Sequence, residues 1–170
     1  MRIHHDQLAH VPGFVRLVEA WLDATWGLEE ADRALSRDPL RILREGGSIL
    51  SLARGDEVVG VCALFREGPD RFQLARMTVA ERERGQGHGD RLLVAALDRA
   101  RALGAASVYL LTNTALGPAV HLYRKHGFQT VGEGPHPQYA RCNLVMERRI
   151  APADAEVMRL ASGTAPGACP

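Results

Sequence analysis

Three glycines within five residues, at positions 85, 87 and 89, lie between a predicted strand and a strongly amphipathic predicted helix. Glycine has no Cβ atom, so the backbone N–H groups of such a segment are unshielded. At a helix N-terminus these unpaired donors and the positive end of the helix dipole together form a site for an anion. The order of strand, glycine loop and helix therefore predicts a phosphate or pyrophosphate site.

Two better-known glycine loops do not fit this segment. It contains no Gly-Lys-Ser/Thr sequence, and its spacing differs from the dinucleotide fingerprint that opens a βαβ unit. A flexible surface turn is the alternative interpretation of a glycine cluster taken alone.

The hydrophobic pattern predicts a mixed α/β domain, with one layer of sheet and helices packed on it. Apolar residues spaced three and four apart predict helices at residues 12–26, 39–44, 90–103 and 118–126. Short apolar runs bounded by turn residues predict strands at residues 48–54, 58–65, 72–79, 107–112, 128–131 and 141–148. Residues 1–150 are expected to form the domain, and residues 151–170 a mobile tail or short helix, with one or two turns over 153–160.

The composition excludes several classes of function. With 21 basic and 20 acidic side chains the net charge is +1, which gives no basic excess for nucleic acid. No apolar run approaches the ~18 residues of a membrane span, so no membrane partner is expected. Cys62, Cys142 and Cys169 are far apart, which indicates a reducing, cytoplasmic setting without a disulfide framework or zinc site.

A metal site is not expected at the amino end either. His4, His5 and His10 lack the helical His-x3-His spacing and acidic partner of a metal site. We therefore interpret these histidines as surface residues.

Two motifs give the sequence its resemblance to a known family. The first is Arg84-x-x-Gly87-x-Gly89, and the second is the ungapped run AVHLYRKHGF at residues 119–128. Both resemble the signatures of the GNAT acetyltransferases, at the expected separation of about 30 residues. In detail, residues 74–79, 112–113, 118–119 and 139–141 resemble the branch whose members are sometimes fused to MarR-type regulators.

The resemblance implies a mostly antiparallel mixed sheet with a splayed central pair of strands. Acetyl-CoA, as acyl donor, is then expected in the gap, with its pantetheine arm on the backbone of Met77, Thr78 and Val79. Asn113 is expected to add a polar contact to the donor. The residues expected to receive the pyrophosphate are Arg84, Gly85, Gln86, Gly87, His88, Gly89 and Asp90. Whether the His88 side chain faces phosphate or solvent stays open.

The resemblance also makes Tyr123 the candidate catalytic residue. Acetyl transfer from a thioester to an amine releases a thiolate, to which a nearby phenol can donate a proton or hydrogen bond. The alternative is that Tyr123 is an ordinary residue of an amphipathic helix face.

The group that takes the proton of the attacking amine is less visible. An alkylamine with a pKa near ~10 is mostly protonated at neutral pH, so a base is needed. The candidates are more typical of surface groups: Glu67, Asp70, Glu81, His121, His126 and His136. This sequence also departs from the family, with Leu111 where the branch often has an acidic residue and Leu116 where many members have asparagine.

Acceptor recognition is expected from the first helices and the segment before the last strand, at Trp26, Tyr139 and Arg141. Arg141 has the geometry to pair a substrate carboxylate bidentately, and packing or a salt bridge is the alternative for each residue. The predicted activity is acetyl transfer to a primary amine of a small molecule by direct attack. Acetylation of a protein amino terminus or lysine, and a non-catalytic acyl-CoA sensor, are the alternatives. A homodimer is compatible with the fold.

Overall fold

The computed structural model describes residues 1–137 and 139–151. Its strands are β1 (Arg2–His5), β2 (Ser48–Arg54), β3 (Glu57–Arg66), β4 (Arg71–Val79), β5 (Ser107–Thr112), β6 (Gln129–Glu133) and β7 (Leu144–Arg149). Its α-helices are α1 (Val11–Thr25), α2 (Glu30–Arg37), α3 (Arg41–Arg44), α4 (His88–Ala102) and α5 (Gly117–Lys125). Single 3-10 turns lie at Leu8–His10 and Glu81–Glu83.

All seven strands belong to one sheet, in the order β1-β2-β3-β4-β5-β7-β6. Only the β4–β5 pair is parallel, and the other five neighbouring pairs are antiparallel. The predicted mixed, mostly antiparallel sheet with flanking helices is therefore confirmed.

The parallel pair at the centre of the sheet is short. β4 and β5 are joined by three residue pairs, from Arg71 opposite Ser107 to Gln73 opposite Tyr109. Beyond these pairs the two strands part. A bulge in β4, where Arg76 has a positive φ of 55°, adds to the divergence, because a bulge bends the strand that carries it. The splayed central pair expected from the family resemblance is thus present.

Helices cover both faces of the sheet. On one face, the apolar stripe of α4, which includes Leu92, Leu93 and Ala96, is buried against β2, β3 and β4. On the other face, Phe14, Leu17 and Leu22 of α1 pack on β3. β2 and β3 are buried on both sides, which is why they read as continuous apolar runs rather than alternating ones.

Two elements were missing from the prediction. β1 carries a single large apolar residue, Ile3, so its sequence has no alternating pattern that predicts a strand. Its antiparallel pairing with β2 stabilises it. α2 has the sequence EADRALSR, whose apolar content is too low to predict a helix by periodicity. It is held by a capping box in which Glu29 and Asp32 each accept a hydrogen bond from the other's backbone N–H.

Some predicted boundaries were wrong. The last strand begins at Leu144 and not at Arg141, because the residues before it form a turn in which the Cys142 N–H donates to the Tyr139 carbonyl at 2.9 Å. The strand predicted at 128–131 lies at Gln129–Glu133. α4 begins at His88, two residues before its predicted start, because Gly87 precedes it in the left-handed conformation. Of the predicted tail, only Ala151 falls within the described residues.

Candidate functional site

The gap between β4 and β5 opens into a pocket of about 410 Å³. One wall comes from β4 with Leu74, Ala75 and Met77, and the opposite wall from β5 with Leu111 and Thr112. α5 and α2 close the remaining sides, and the segment before β7 contributes as well. The pocket is therefore built where the sheet hydrogen bonding stops.

The glycine loop lies at the start of α4, as predicted. Gly85 and Gly87 have φ values of 74° and 76°, a region that side chains with a Cβ atom rarely adopt. Gly87 is the N-cap of α4, and no described side chain caps this helix. The first-turn N–H groups are thus left open to an anion.

Gly89 differs from the other two glycines of the loop. A Cβ atom built there would lie 3.5 Å from Leu122 and 3.6 Å from Met77, which are ordinary van der Waals distances. The packing of the protein itself therefore tolerates a Cβ atom at position 89. A ligand that crosses this position would make glycine or alanine necessary.

The other loop side chains are divided between surface and interior. Arg84 and Gln86 are exposed, and their side chains bond backbone carbonyls of Val79 (3.2 Å) and Arg82 (3.4 Å). His88 does not face solvent: it is buried, with its Nε2 atom 3.8 Å from a carboxylate oxygen of Glu83.

Asp90 ties the start of α4 to the end of α5. Its Oδ1 atom lies 2.5 Å from Lys125 Nζ and 2.9 Å from His126 Nε2. These hydrogen bonds, that of Lys125 first, lower the pKa of the Asp90 carboxyl. His126, one of the candidate bases, is engaged by this contact.

Asn113 lines the pocket with its side-chain amide already bonded within the protein. Its Nδ2 donates to the Arg141 carbonyl at 2.9 Å, and its Oδ1 accepts from the Ala115 N–H at 2.8 Å. In this structure it holds the segment before β7 against the end of β5. Its predicted contact to the acyl donor stays a prediction.

Tyr123 reaches the pocket from α5. It is nearly buried, and its ring lies 5.9 Å from that of Phe128, centroid to centroid. Burial, with a smaller contribution from the nearby Cys62, raises the pKa of Tyr123 to about 12. The phenol is therefore protonated at neutral pH and available as a hydrogen-bond donor.

The three residues predicted for the acceptor, Trp26, Tyr139 and Arg141, all line this pocket. The fork of Arg141 is engaged by the buried Asp32, with Nη1 to Oδ2 at 2.7 Å and Nη2 to Oδ1 at 2.8 Å. The salt bridge named as the alternative is therefore present.

Two members of this ion cluster, Asp32 and Arg76, were not predicted from the sequence as pocket residues. Asp32 also binds Arg76, with 2.7 Å between Oδ1 and Nη1, and accepts the Glu29 N–H at 3.0 Å. Burial acts to raise the pKa of Asp32, but the hydrogen bonds from Arg141 and Glu29, with the charge of Arg76, outweigh it and lower that pKa. Asp32 thus stays ionised and joins α2 to β4 and to the segment before β7.

Two further residues line the pocket. Trp21 lies on the periodic face of α1, and nothing in that pattern distinguishes it from a core residue of the helix. Glu67, one of the candidate bases, is the one carboxylate among the described pocket-lining residues. The positions of the two departures from the family pattern, Leu111 and Leu116, also line the pocket and make that part apolar.

Among the cysteines, Cys142 lines the pocket and Cys62 is buried in the sheet. Burial raises the pKa of the Cys62 thiol to about 12, so this core residue on β3 carries no thiolate. Across residues 1–137 and 139–151, no group of three or more His, Cys, Asp or Glu side chains could hold a metal ion. In the same ranges, no helix has both the length and the apolar character needed to cross a membrane. Cys169 lies outside the described residues.

Comparison with known proteins now decides the family. The model of the acetyltransferase (GNAT) family matches residues 14–128, which is more than half of the chain. The chain belongs to the GNAT acetyltransferase family. It is also similar to the mycothiol acetyltransferase of Corynebacterium glutamicum (strain ATCC 13032), with 30% identity over 77% of this chain and 48% of that protein. The chain spans about half the length of the curated relatives it matches.

Solved structures show the same fold. A GNAT-family acetyltransferase from Staphylococcus aureus Mu50 superposes with a TM-score of 0.76, covering 88% of this chain and 99% of the other at 17% identity. A phosphinothricin acetyltransferase from Sinorhizobium meliloti, solved in complex with acetyl-CoA, has a TM-score of 0.69 at 17% identity, with 88% of each chain covered. At these identities the likeness concerns the fold alone.

Position 89 provides a test of the glycine loop. We expect Gly89→Leu to bind acetyl-CoA at least about tenfold more weakly than the parent, with a cooperative melting transition that shows it to be folded. The matched control is Gly89→Ala, which is small enough to keep binding within about threefold. Calorimetric titration with acetyl-CoA, alongside thermal melting, makes the comparison. Equal affinity of both variants and parent would show that the donor does not cross position 89.

Proposed function

We propose that the protein transfers the acetyl group of acetyl-CoA to a primary amine of a small molecule. The observation that carries this proposal is the pocket between the parted strands β4 and β5, which Tyr123 lines. The uncapped N-terminus of α4 lies beside it, since a Cβ atom at Gly89 would be 3.6 Å from the pocket-lining Met77. Family membership supports an acyltransferase. The pocket volume of about 410 Å³ suits a small acceptor.

The chain offers a fitting site for the donor. The uncapped first turn of α4, with Gly85, Gly87 and Gly89 before and within it, is suited to a pyrophosphate. On the β5 side no strand pairs with residues 77–79 of β4, although Thr78 and Val79 pair with β3 on the other side, and an extended amide-containing arm fits in the gap. Bound acetyl-CoA supplies an acyl thioester.

The proposed reaction needs only the amine and acetyl-CoA as reactants. A bond forms between the amine nitrogen and the acyl carbon, the carbon–sulfur bond breaks, and one proton passes from the nitrogen side to the sulfur side. The amine proton leaves to water or to a pocket group such as Glu67. The products are an N-acetyl amide and the free thiol.

Tyr123 acts in this scheme as a hydrogen-bond donor to the departing sulfur. Its pKa of about 12 lies above that of an ordinary thiol, which is about 8.5. Complete proton transfer from the phenol to a thiolate is therefore unfavourable by roughly 3.5 pKa units. Hydrogen bonding stabilises the developing charge without that cost.

The proposal includes a cytoplasmic location and kinship with the branch sometimes fused to MarR-type regulators. Both rest on the sequence patterns alone. Acetylation of a protein amino terminus or lysine is the competing acceptor class, and a sensor without turnover is the competing class of protein.

A thiol-release assay tests the proposal. Purified protein is mixed with acetyl-CoA and, in turn, free amino acids, polyamines, aminoglycosides and short peptides. We expect amine-dependent release of thiol with at least one small molecule, at a rate above that with the peptides. Thermal stabilisation by acetyl-CoA without turnover on any amine would contradict the enzyme and favour the sensor.

Removal of the Tyr123 hydroxyl tests its role. We expect Tyr123→Phe to lower kcat roughly 10- to 100-fold, because a hydrogen bond to a charged group is worth about 1.5–3 kcal/mol. The affinity for acetyl-CoA should change less than threefold. Tyr109→Phe is the matched control, since Tyr109 lies over Arg71 outside the pocket and its loss should leave kcat unchanged. Equal turnover by Tyr123→Phe and parent would remove Tyr123 from the mechanism.

A further inference from the structure

The charged side chains that face the pocket are mostly cationic. Arg41, Arg76 and Arg141 line it, against the single carboxylate of Glu67 among the described lining residues. Glu45 neutralises Arg41, with 2.8 Å between Oε1 and Nε, and Asp32, behind the lining, offsets one of the two charges of Arg76 and Arg141. The positive charge left at Arg76 and Arg141 attracts an anionic group and disfavours a polycation.

The ion cluster behind the lining is short of negative charge. The carboxylate of Asp32 is shared between two guanidiniums, and its oxygens already accept four hydrogen bonds. The Glu29 carboxylate comes no closer to Arg141 than 3.9 Å, and its side chain is 40% exposed. The cluster therefore has room, in charge and in hydrogen bonding, for a second anion.

Arg76 is the member with unused capacity. A guanidinium has five N–H donors, and the one ion pair of Arg76 uses its Nη1 atom. Its Nε atom is buried and has no hydrogen-bond partner among the described residues. Burying a donor without an acceptor costs about 1–3 kcal/mol, so a polar ligand that rearranges this side chain recovers free energy.

The backbone conformation of Arg76 also supports an anion site here. Its φ of 55° is unusual for a residue other than glycine, and such a conformation costs on the order of 1–3 kcal/mol. Strain of this kind persists where the surrounding structure fixes the conformation. At Arg76 that conformation places the guanidinium at the pocket.

Aromatic side chains are concentrated at the same pocket. They make up only 5% of the sequence, yet both tryptophans, Trp21 and Trp26, line this pocket together with Phe65 and Tyr139. Aromatic walls favour a ligand with an apolar or aromatic body.

We propose that the acceptor is an amino acid with an apolar or aromatic side chain, whose carboxylate binds Arg76 beside Arg141. Its side chain packs among the aromatic residues, and its amine attacks the thioester. This inference rests on the proposed function and narrows it, because it disfavours the polyamines and aminoglycosides of the broader acceptor class.

The test compares acceptors of nearly the same shape, one with a carboxylate and one without. Thiol release is measured with acetyl-CoA and phenylalanine, and with phenylalaninamide, which keeps the ring and the amine but lacks the negative charge. We expect kcat/KM for phenylalanine to exceed that for the amide at least about tenfold, and spermidine to be the poorest of the three. The dipeptides Phe-Gly and Phe-Gly-amide, tested in parallel, show whether a more distant carboxylate serves, and we expect no preference between them.

Variants assign the preference to Arg76. Arg76→Gln should reduce the acid-to-amide ratio to within threefold of one, while acetyl-CoA affinity stays within threefold of the parent. Arg37→Gln removes the same charge from the exposed side of α2, where Arg37 pairs with Glu30, and should keep the full ratio. If Arg76→Gln does not fold, the comparison of acceptors on the parent protein still decides.

The outcomes separate this inference from the proposed function. Turnover of the amide or of spermidine at least as fast as of phenylalanine would overturn the amino-acid acceptor and leave the transferase intact. A preference for Phe-Gly over its amide, exceeding that for phenylalanine, would assign the carboxylate site to peptides and also overturn it. Absence of thiol release with every amine would instead contradict the proposed function itself.

Discussion

The parting of β4 from β5 is the constraint on which the rest of the site depends. Their pairing stops at Gln73 and Tyr109, and the bulge at Arg76 increases the divergence. Backbone groups on the inner edge of β4 then face a cleft instead of another strand, and buried N–H and C=O groups require partners. A ligand with extended amide groups can complete the sheet there, and the same opening admits α5 from one side and α2 from the other.

The glycine loop and the pocket depend on different interactions. Positive φ at Gly85 and Gly87 shapes the loop, and the first turn of α4 has no side-chain cap. The pocket wall beside α2 depends on side-chain charge, because Asp32 joins α2 to Arg76 and Arg141. A backbone site for phosphate needs no basic surface, which is why a chain of net charge +1 is compatible with a highly charged ligand. The proposed selection among acceptors, by contrast, depends on side-chain charge.

A part of the site could be predicted from the sequence where the interactions that form it are between residues close together in the chain. The glycine loop and α4 were predictable because positive φ and helical periodicity are local properties. α2 was not, because its apolar content is low and its Asp32 anchor binds Arg141, which lies 109 residues further along the chain. The same holds for Arg76, whose bulge conformation depends on the pairing of β3 with β4. Tyr123 was found through its motif, and nothing in its local pattern distinguishes it from a core residue.

The most direct test of the account is hydrogen exchange of the protein with and without acetyl-CoA, followed by mass spectrometry of its peptides. We expect saturating acetyl-CoA to slow exchange at least about tenfold in the segments covering residues 77–79 and 85–90, since both would gain hydrogen-bond partners. Exchange in β6, at the far edge of the sheet, should not change. Unaltered exchange in both predicted segments at saturating acetyl-CoA would contradict the claim that the gap and the glycine loop form the donor site.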